Sequence, residues 1–192
     1  MRAAEPVVLE LGRVRLEPLG PQHDEELLAA AQADEIWQWM PVARPRRIAE
    51  IRRIRTTHPG QPWAVVVDGT AAGSTSYLDV DPIVGGLEVG WTWYRRDLWA
   101  STVNPACKLL LLLGHAFEVL GAQRVTLKTD ALNARSRAAI AKLGCAYDGT
   151  LRHERLRPDE SARDTANFSM LAPEWPTARA RLQARVVGAR SG

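Results

Sequence analysis

Five consecutive leucines, Leu109 to Leu113, sit in a segment framed by Pro105 and Gly121. Asn104 can cap a first helical turn with its side-chain oxygen. Pro105 suits the first helical position, where its missing N–H would be unpaired in any case. Gly121 can take the left-handed conformation that closes a helix. Leucines in a row cover every face, so the segment predicts a helix buried on most sides and central to the fold. At about sixteen residues it falls short of the ~20 that a bilayer span needs. Its first amides are unpaired and carry the positive end of the helix dipole, which can hold a phosphate. The same residues also fit a capped core helix with nothing bound.

The length of 192 residues suits one domain, residues 1–192, with a real core over about 10–182. A formal charge of +3 is too small to imply nucleic-acid binding. The basic run over 179–190 reads as a solvated helix face. The two cysteines, Cys107 and Cys145, read as buried thiols in a reducing compartment. The four histidines show no metal-ligand spacing. With neither a signal peptide nor a membrane span visible, a cytoplasmic protein with no metal, nucleic-acid or membrane partner is expected.

Alternating apolar and polar residues over 7–19 predict a strand, or two short ones bent at Gly12. Helices are expected from Pro21, over 34–41 and from Pro45. Strands follow over 63–67 and 73–81, joined at the Asp68-Gly69 turn, then over 87–94. Beyond the leucine helix come a strand over 124–130, an Ala-rich helix over 133–143, a hairpin of 146–156 with 164–171, and a terminal helix. This order implies an α/β (α+β) fold with about seven strands in a mixed sheet and helices on both faces.

Several stretches together resemble the GNAT superfamily of N-acetyltransferases, nearest its RimJ/RimL-type branch. They are Leu87-Glu88-Val89-Gly90-Trp91-Thr92-Trp93, the leucine helix, Thr129-Asp130-Ala131-Leu132-Asn133-Ala134-Arg135-Ser136, Lys142-Leu143-Gly144-Cys145, and the tail from Gly149 to Trp175. The resemblance implies a mostly antiparallel sheet with a V-shaped splay between two parallel strands, and acetyl-coenzyme A as the cofactor bound there. Backbone groups of Trp93 and Tyr94 would hold its pantetheine arm. Its pyrophosphate would meet the loop Trp99-Ala100-Ser101-Thr102-Val103-Asn104. That loop departs from the family's Gln/Arg-x-x-Gly-x-Gly/Ala pattern: Trp99 takes the first slot, and Thr102 and Asn104 take the glycine slots. Threonine resists positive φ.

On this reading an acetyl group moves to a primary amine by direct attack in a ternary complex. The amine belongs to a protein N-terminus, an amino acid, or a small amine or drug. Glu88 is the candidate base, or a carboxylate paired with an arginine. Asp130 is the weaker candidate and better suited to bracing a loop. From the family's Asn-x-x-Ser, Ser136 would meet the departing sulfur and Asn133 would position the pantetheine, though Asn133 could simply cap its helix. Amides near Trp91 would face the developing oxyanion. Trp37, Trp39 and Tyr77, with Glu88, are the candidate acceptor contacts; Trp63 and Trp93 are further aromatics for such a pocket. The account requires Glu88 on the same side of the sheet as the loop amides. The alternative is a non-catalytic binding module whose altered loop has lost the coenzyme. Relatives are often dimers, and a homodimer is possible here too.

Overall fold

The computed structural model describes residues 1–188, with every side chain among them except those of residues 109, 110 and 187. The basic run expected over 179–190 therefore ends outside the described residues. One sheet carries the fold. Its strands lie in the order β1 (Leu9–Leu11), β2 (Val14–Pro18), β3 (Gln61–Val67), β4 (Thr70–Asp81), β5 (Gly86–Tyr94), β6 (Arg124–Asp130), β8 (Ala162–Leu171) and β7 (Ala146–Leu156). Gly12, at φ 61°, breaks the first extended stretch in two, giving eight strands rather than seven. Asp68 and Gly69 both take positive φ (51° and 81°), the signature of a tight hairpin turn whose twist matches its strands.

Helices α1 (Asp24–Ala30), α2 (Asp34–Trp37) and α3 (Ile48–Thr56) lie on one face. They bury Leu27, Trp37 and Ile51 against Ala64, Val66, Ala71 and Trp93. Pro45 does not open α3. The carboxylate of Glu50 accepts from the Arg46 amide at 2.7 Å, which holds the chain extended through Arg47 and delays the first turn to Ile48.

The other face is covered by α4 (Val103–Leu120), α5 (Ala134–Ala141) and α6 (Trp175–Gly188), over Leu16, Val65, Val89, Val125, Leu127 and Phe168. With 18 residues, α4 is long and apolar enough to cross a membrane, contrary to the sequence-based expectation, but 69% of it is buried in this core. It starts two residues before the expected position, Pro105. Val103 is the first helical residue, and its amide donates to Ser101 Oγ at 3.2 Å. Asn104 does not cap the helix; its Oδ1 accepts from the Tyr94 hydroxyl at 3.1 Å. Over Ala106–Leu113 and His115–Leu120 the helix winds in the wider π form. The fully buried Tyr77 hydroxyl donates to the Leu112 carbonyl within that stretch. Gly121 (φ 73°) and Gly144 (φ 92°) close the helices before them.

Candidate active site

All neighbouring strands are antiparallel except β5 and β6, which pair in parallel only from Gly86↔Arg124 to Glu88↔Thr126. Past Glu88, β5 stays on β4 and β6 stays on β8, so a gap opens through the sheet. A bulge accompanies the parting. Ser74 pairs with Trp93 and Ser76 with Gly90, so β5 carries one residue more than β4 there. Trp91 takes φ 49° in this bulge, strain of the order of 1–3 kcal/mol that the surrounding packing must hold. Backbone groups of an extra residue fall out of the ladder, which leaves donors at the start of the gap.

Glu88 lies between Leu87 and Val89, both of which enter the core under α4, so its side chain projects from the opposite face. It is 6% exposed. Its partner is a lysine, not an arginine: Lys128 Nζ stands 2.9 Å from Glu88 Oε2 and 3.7 Å from Asp79 Oδ2. Burial alone would lower the Lys128 pKa; the Glu88 carboxylate outweighs it and raises it. Gly90 makes room for this carboxylate, since a Cβ there would meet Glu88 Oε1 at 2.8 Å.

The requirement that carboxylate and loop share one side is not met as stated. Glu88 faces α1–α3, whereas α4 packs on the other face. The loop between β5 and α4 lies at the end of the sheet, with Trp99 touching both cores. The gap between β5 and β6 passes through the sheet and joins the two sides.

Within the loop, Thr102 sits at φ −76°, ψ −7°, ordinary for threonine. The left-handed residue is Ala100, at φ 61°. Ser101 Oγ donates to the Leu98 carbonyl at 2.6 Å while accepting from Val103. Trp99 Nε1 donates to the Tyr94 carbonyl at 3.2 Å. Two guanidinium groups flank the Trp99 ring, Arg96 at 4.4 Å and Arg135 at 3.3 Å from its centroid. Arg135 belongs to α5, so it ties that helix to the loop. Among the described residues neither arginine forms an ion pair. Burial, then the nearby Arg96 charge, lowers the Arg135 pKa. Such a pair of unmatched cations suits an anion.

Asn133 caps α5, its Oδ1 accepting from the Ser136 amide at 3.0 Å. Ser136 is half-buried beside it. Asp130 is a brace: it accepts from Arg157 at 2.7 and 3.1 Å and from the Leu132 amide at 2.9 Å. Cys107 and Cys145 are free and buried, and burial pushes both thiols up to about 12, which leaves no reactive thiolate near neutrality.

Under α1–α3 lies an apolar pocket lined by Leu27, Trp37, Ile51, His58, Trp91 and Trp93; Glu88 is not part of its lining. Its free space is ≈ 20 Å³, about that of one water. Trp37 and Trp93 both line it, their rings 5.1 Å apart. Tyr77 does not, because it is fully buried under α4, edge-on to Trp63. Trp39 is half-buried and lies outside the pocket lining. Sequence reasoning missed His58. Its Nδ1 accepts from the Gly60 amide, so its Nε2–H donates to Ser76 Oγ at 2.8 Å, and its ring meets Trp91 at 4.7 Å. Burial lowers its pKa and keeps it neutral. The His58-Pro59-Gly60 turn was the one available signal, and it reads only as the end of a helix.

Residues 13–146 match the model of the acetyltransferase (GNAT) domain, and the chain belongs to that family. It is 25% identical over 170 residues to Bacillus subtilis YdaF, whose name marks it as a candidate ribosomal N-acetyltransferase; the match covers 83% of this chain and 90% of YdaF. A solved candidate acetyltransferase from T. thermophilus superposes with TM-score 0.86 at 36% identity, covering 96% of this chain and 99% of that one. RimJ of Mycobacterium smegmatis, solved in complex with CoA-disulfide, shares the fold: TM-score 0.74 at 20% identity, over 89% and 88% of the two chains. The likeness to YdaF supports the RimJ/RimL-type branch.

Proposed function

We propose that the protein transfers an acetyl group from acetyl-coenzyme A to a primary amine, foremost the N-terminus of a peptide or protein. The observation that carries this reading is the gap between β5 and β6, with a buried carboxylate at its start and unmatched arginines at its mouth. The residues present fit the coenzyme. Arg96 and Arg135 supply positive charge for its phosphates where the loop lacks glycines. Ser136, in the first turn of α5, and the bulge at Trp91 would meet its pantetheine end. When bound, the coenzyme supplies an acetyl group already activated as a thioester.

The chain's own task is to deliver an uncharged amine and to receive its proton. Glu88 accepts that proton, directly or through a water, and Lys128 steadies the carboxylate between turnovers. The apolar pocket under α1–α3 disfavours an ammonium. The bulge amides at Trp91 and Thr92 are donors for developing negative charge. Thr102 adopts a conformation ordinary for threonine, so the glycine slot imposes no backbone strain on it.

Thiol release from acetyl-coenzyme A with a panel of peptides and amines tests the reading. Glu88→Gln is expected to lower turnover about 100-fold with little change in coenzyme affinity, and Arg135→Ala to weaken coenzyme binding about tenfold. Coenzyme binding by calorimetry with no thiol release from any amine would overturn it.

A further inference from the structure

Three carboxylates are buried among the described residues: Asp24, Glu88 and Asp130. Asp24 and Asp130 are each paired by arginine, with Arg55 at 2.9 Å and Arg157 at 2.7 Å. Glu88 alone is paired by a lysine. The difference is chemical. A guanidinium keeps its proton, whereas a lysine that gives one up becomes a nucleophile and can be acetylated. Lysine is also scarce in this chain: of 25 lysines and arginines, only Lys108, Lys128 and Lys142 are lysines.

Register puts Lys128 at the gap in the sheet. Val125 and Leu127 enter the core under α4, so Thr126 and Lys128 point to the face that carries Glu88. The parallel pairing ends at Glu88↔Thr126. Lys128 is the next residue of β6 on that face, the first past the parting. Its ammonium reaches back to Glu88 Oε2 at 2.9 Å, with Asp79 Oδ2 at 3.7 Å. The side chain is 20% exposed, so the amine is not sealed in. An amine from outside must stand at the same spot, within reach of the carboxylate that takes its proton and at the gap where the thioester arrives. Lys128 holds the acceptor's place with an acceptor's functional group.

We infer that Lys128 is itself an acceptor, and that the protein acetylates its own Lys128 Nζ from acetyl-coenzyme A within one chain. This deepens the transferase reading and rests on it for the coenzyme and for Glu88 as base. Glu88 takes one proton from the ammonium. The freed lone pair attacks the thioester carbonyl carbon, so that the N–C bond forms and the C–S bond breaks. A second proton on nitrogen passes to the departing sulfur, giving coenzyme A thiol and acetyl-lysine, and Glu88 returns its proton to solvent. The amide is too stable to hand the acetyl group on, so it is a modification and not a covalent intermediate. It removes the positive charge beside Glu88.

Peptide mass spectrometry of the protein incubated with acetyl-coenzyme A and no acceptor tests this. Lys142 is exposed and reports the chemical background. Lys128 is expected to gain one acetyl group at least about tenfold faster than Lys142, at a rate that saturates in acetyl-coenzyme A and does not depend on protein concentration. Glu88→Gln is expected to bring Lys128 down to the rate of Lys142. Lys128 no faster than Lys142 overturns the inference, as does a rate that rises with protein concentration or one undiminished in Glu88→Gln. Thiol release with the panel of amines keeps the two readings apart. Release with an external amine while Lys128 stays unmodified sinks this inference alone, and neither release nor modification sinks both.

Discussion

Gly90 has no side chain, and the space it leaves is filled by its neighbours. A methyl group there would meet Glu88 Oε1 and Leu78 Cδ1, each at 2.8 Å. The backbone at this position is ordinary, so the demand is for volume and not for an unusual φ. Gly90→Ala should displace the carboxylate from its pairing with Lys128. Steady-state kinetics are expected to show turnover reduced about 10- to 100-fold with the KM for acetyl-coenzyme A nearly kept, since an ångström of misplacement is costly at a reacting centre. Glu88 was legible in the sequence because it is a lone acid on an alternating strand. Lys128 was not, because its nearness to Glu88 comes from the β5–β6 register, which no local pattern encodes. The left-handed residue of the coenzyme loop was misplaced for a related reason. Family spacing pointed to Thr102, but the strain fell on Ala100, two residues earlier.

The central helix shows why composition located an element and missed its detail. Leucines in a row announced burial, and α4 is buried. Its cap was misread because Asn104 had a better partner in Tyr94, a residue brought close only by the folded sheet. Its π winding had no sequence signal. Tyr77 reaches from β4 to the Leu112 carbonyl in the wide stretch, with His115 Nδ1 3.3 Å away. Burial raises the hydroxyl pKa far above its usual value, so it stays a donor. Tyr77→Phe strands that carbonyl and should cost about 1–3 kcal/mol in urea unfolding, with the slope of the transition unchanged. The edge of α3 was misplaced in the same way, by a Glu50 contact to the Arg46 amide that spacing did not foretell.

Across the fold as a whole, strand order, the parallel β5–β6 pair and the two helix layers followed from alternation, turn residues and family likeness. The burial of Thr165 did not, because that residue looks like the solvated side of a hairpin until the fold covers it. Asp130 is a buried charge whose pairing makes stability depend on pH. Burial would raise its pKa, but the hydrogen bonds from Arg157 and the Leu132 amide outweigh this and lower it. A folded-state pKa below the unfolded one gives stability that is complete above the unfolded value and is lost as pH falls through the folded one. Asp130→Asn is therefore expected to cost about 3 kcal/mol at pH 7, and the deficit against the parent should shrink as pH drops below about 4. Thermal melts from pH 7 to pH 3 check both.

The opening between β5 and β6 makes the sheet a partition with a single slit. On the proposed reading, donor and acceptor arrive from opposite rooms and meet only at that slit, so neither has to leave before the other enters. A shared chamber would have favoured parking the acetyl group on the protein between visits, but a slit does away with that stop, and the two inert thiols of this chain are in keeping with it.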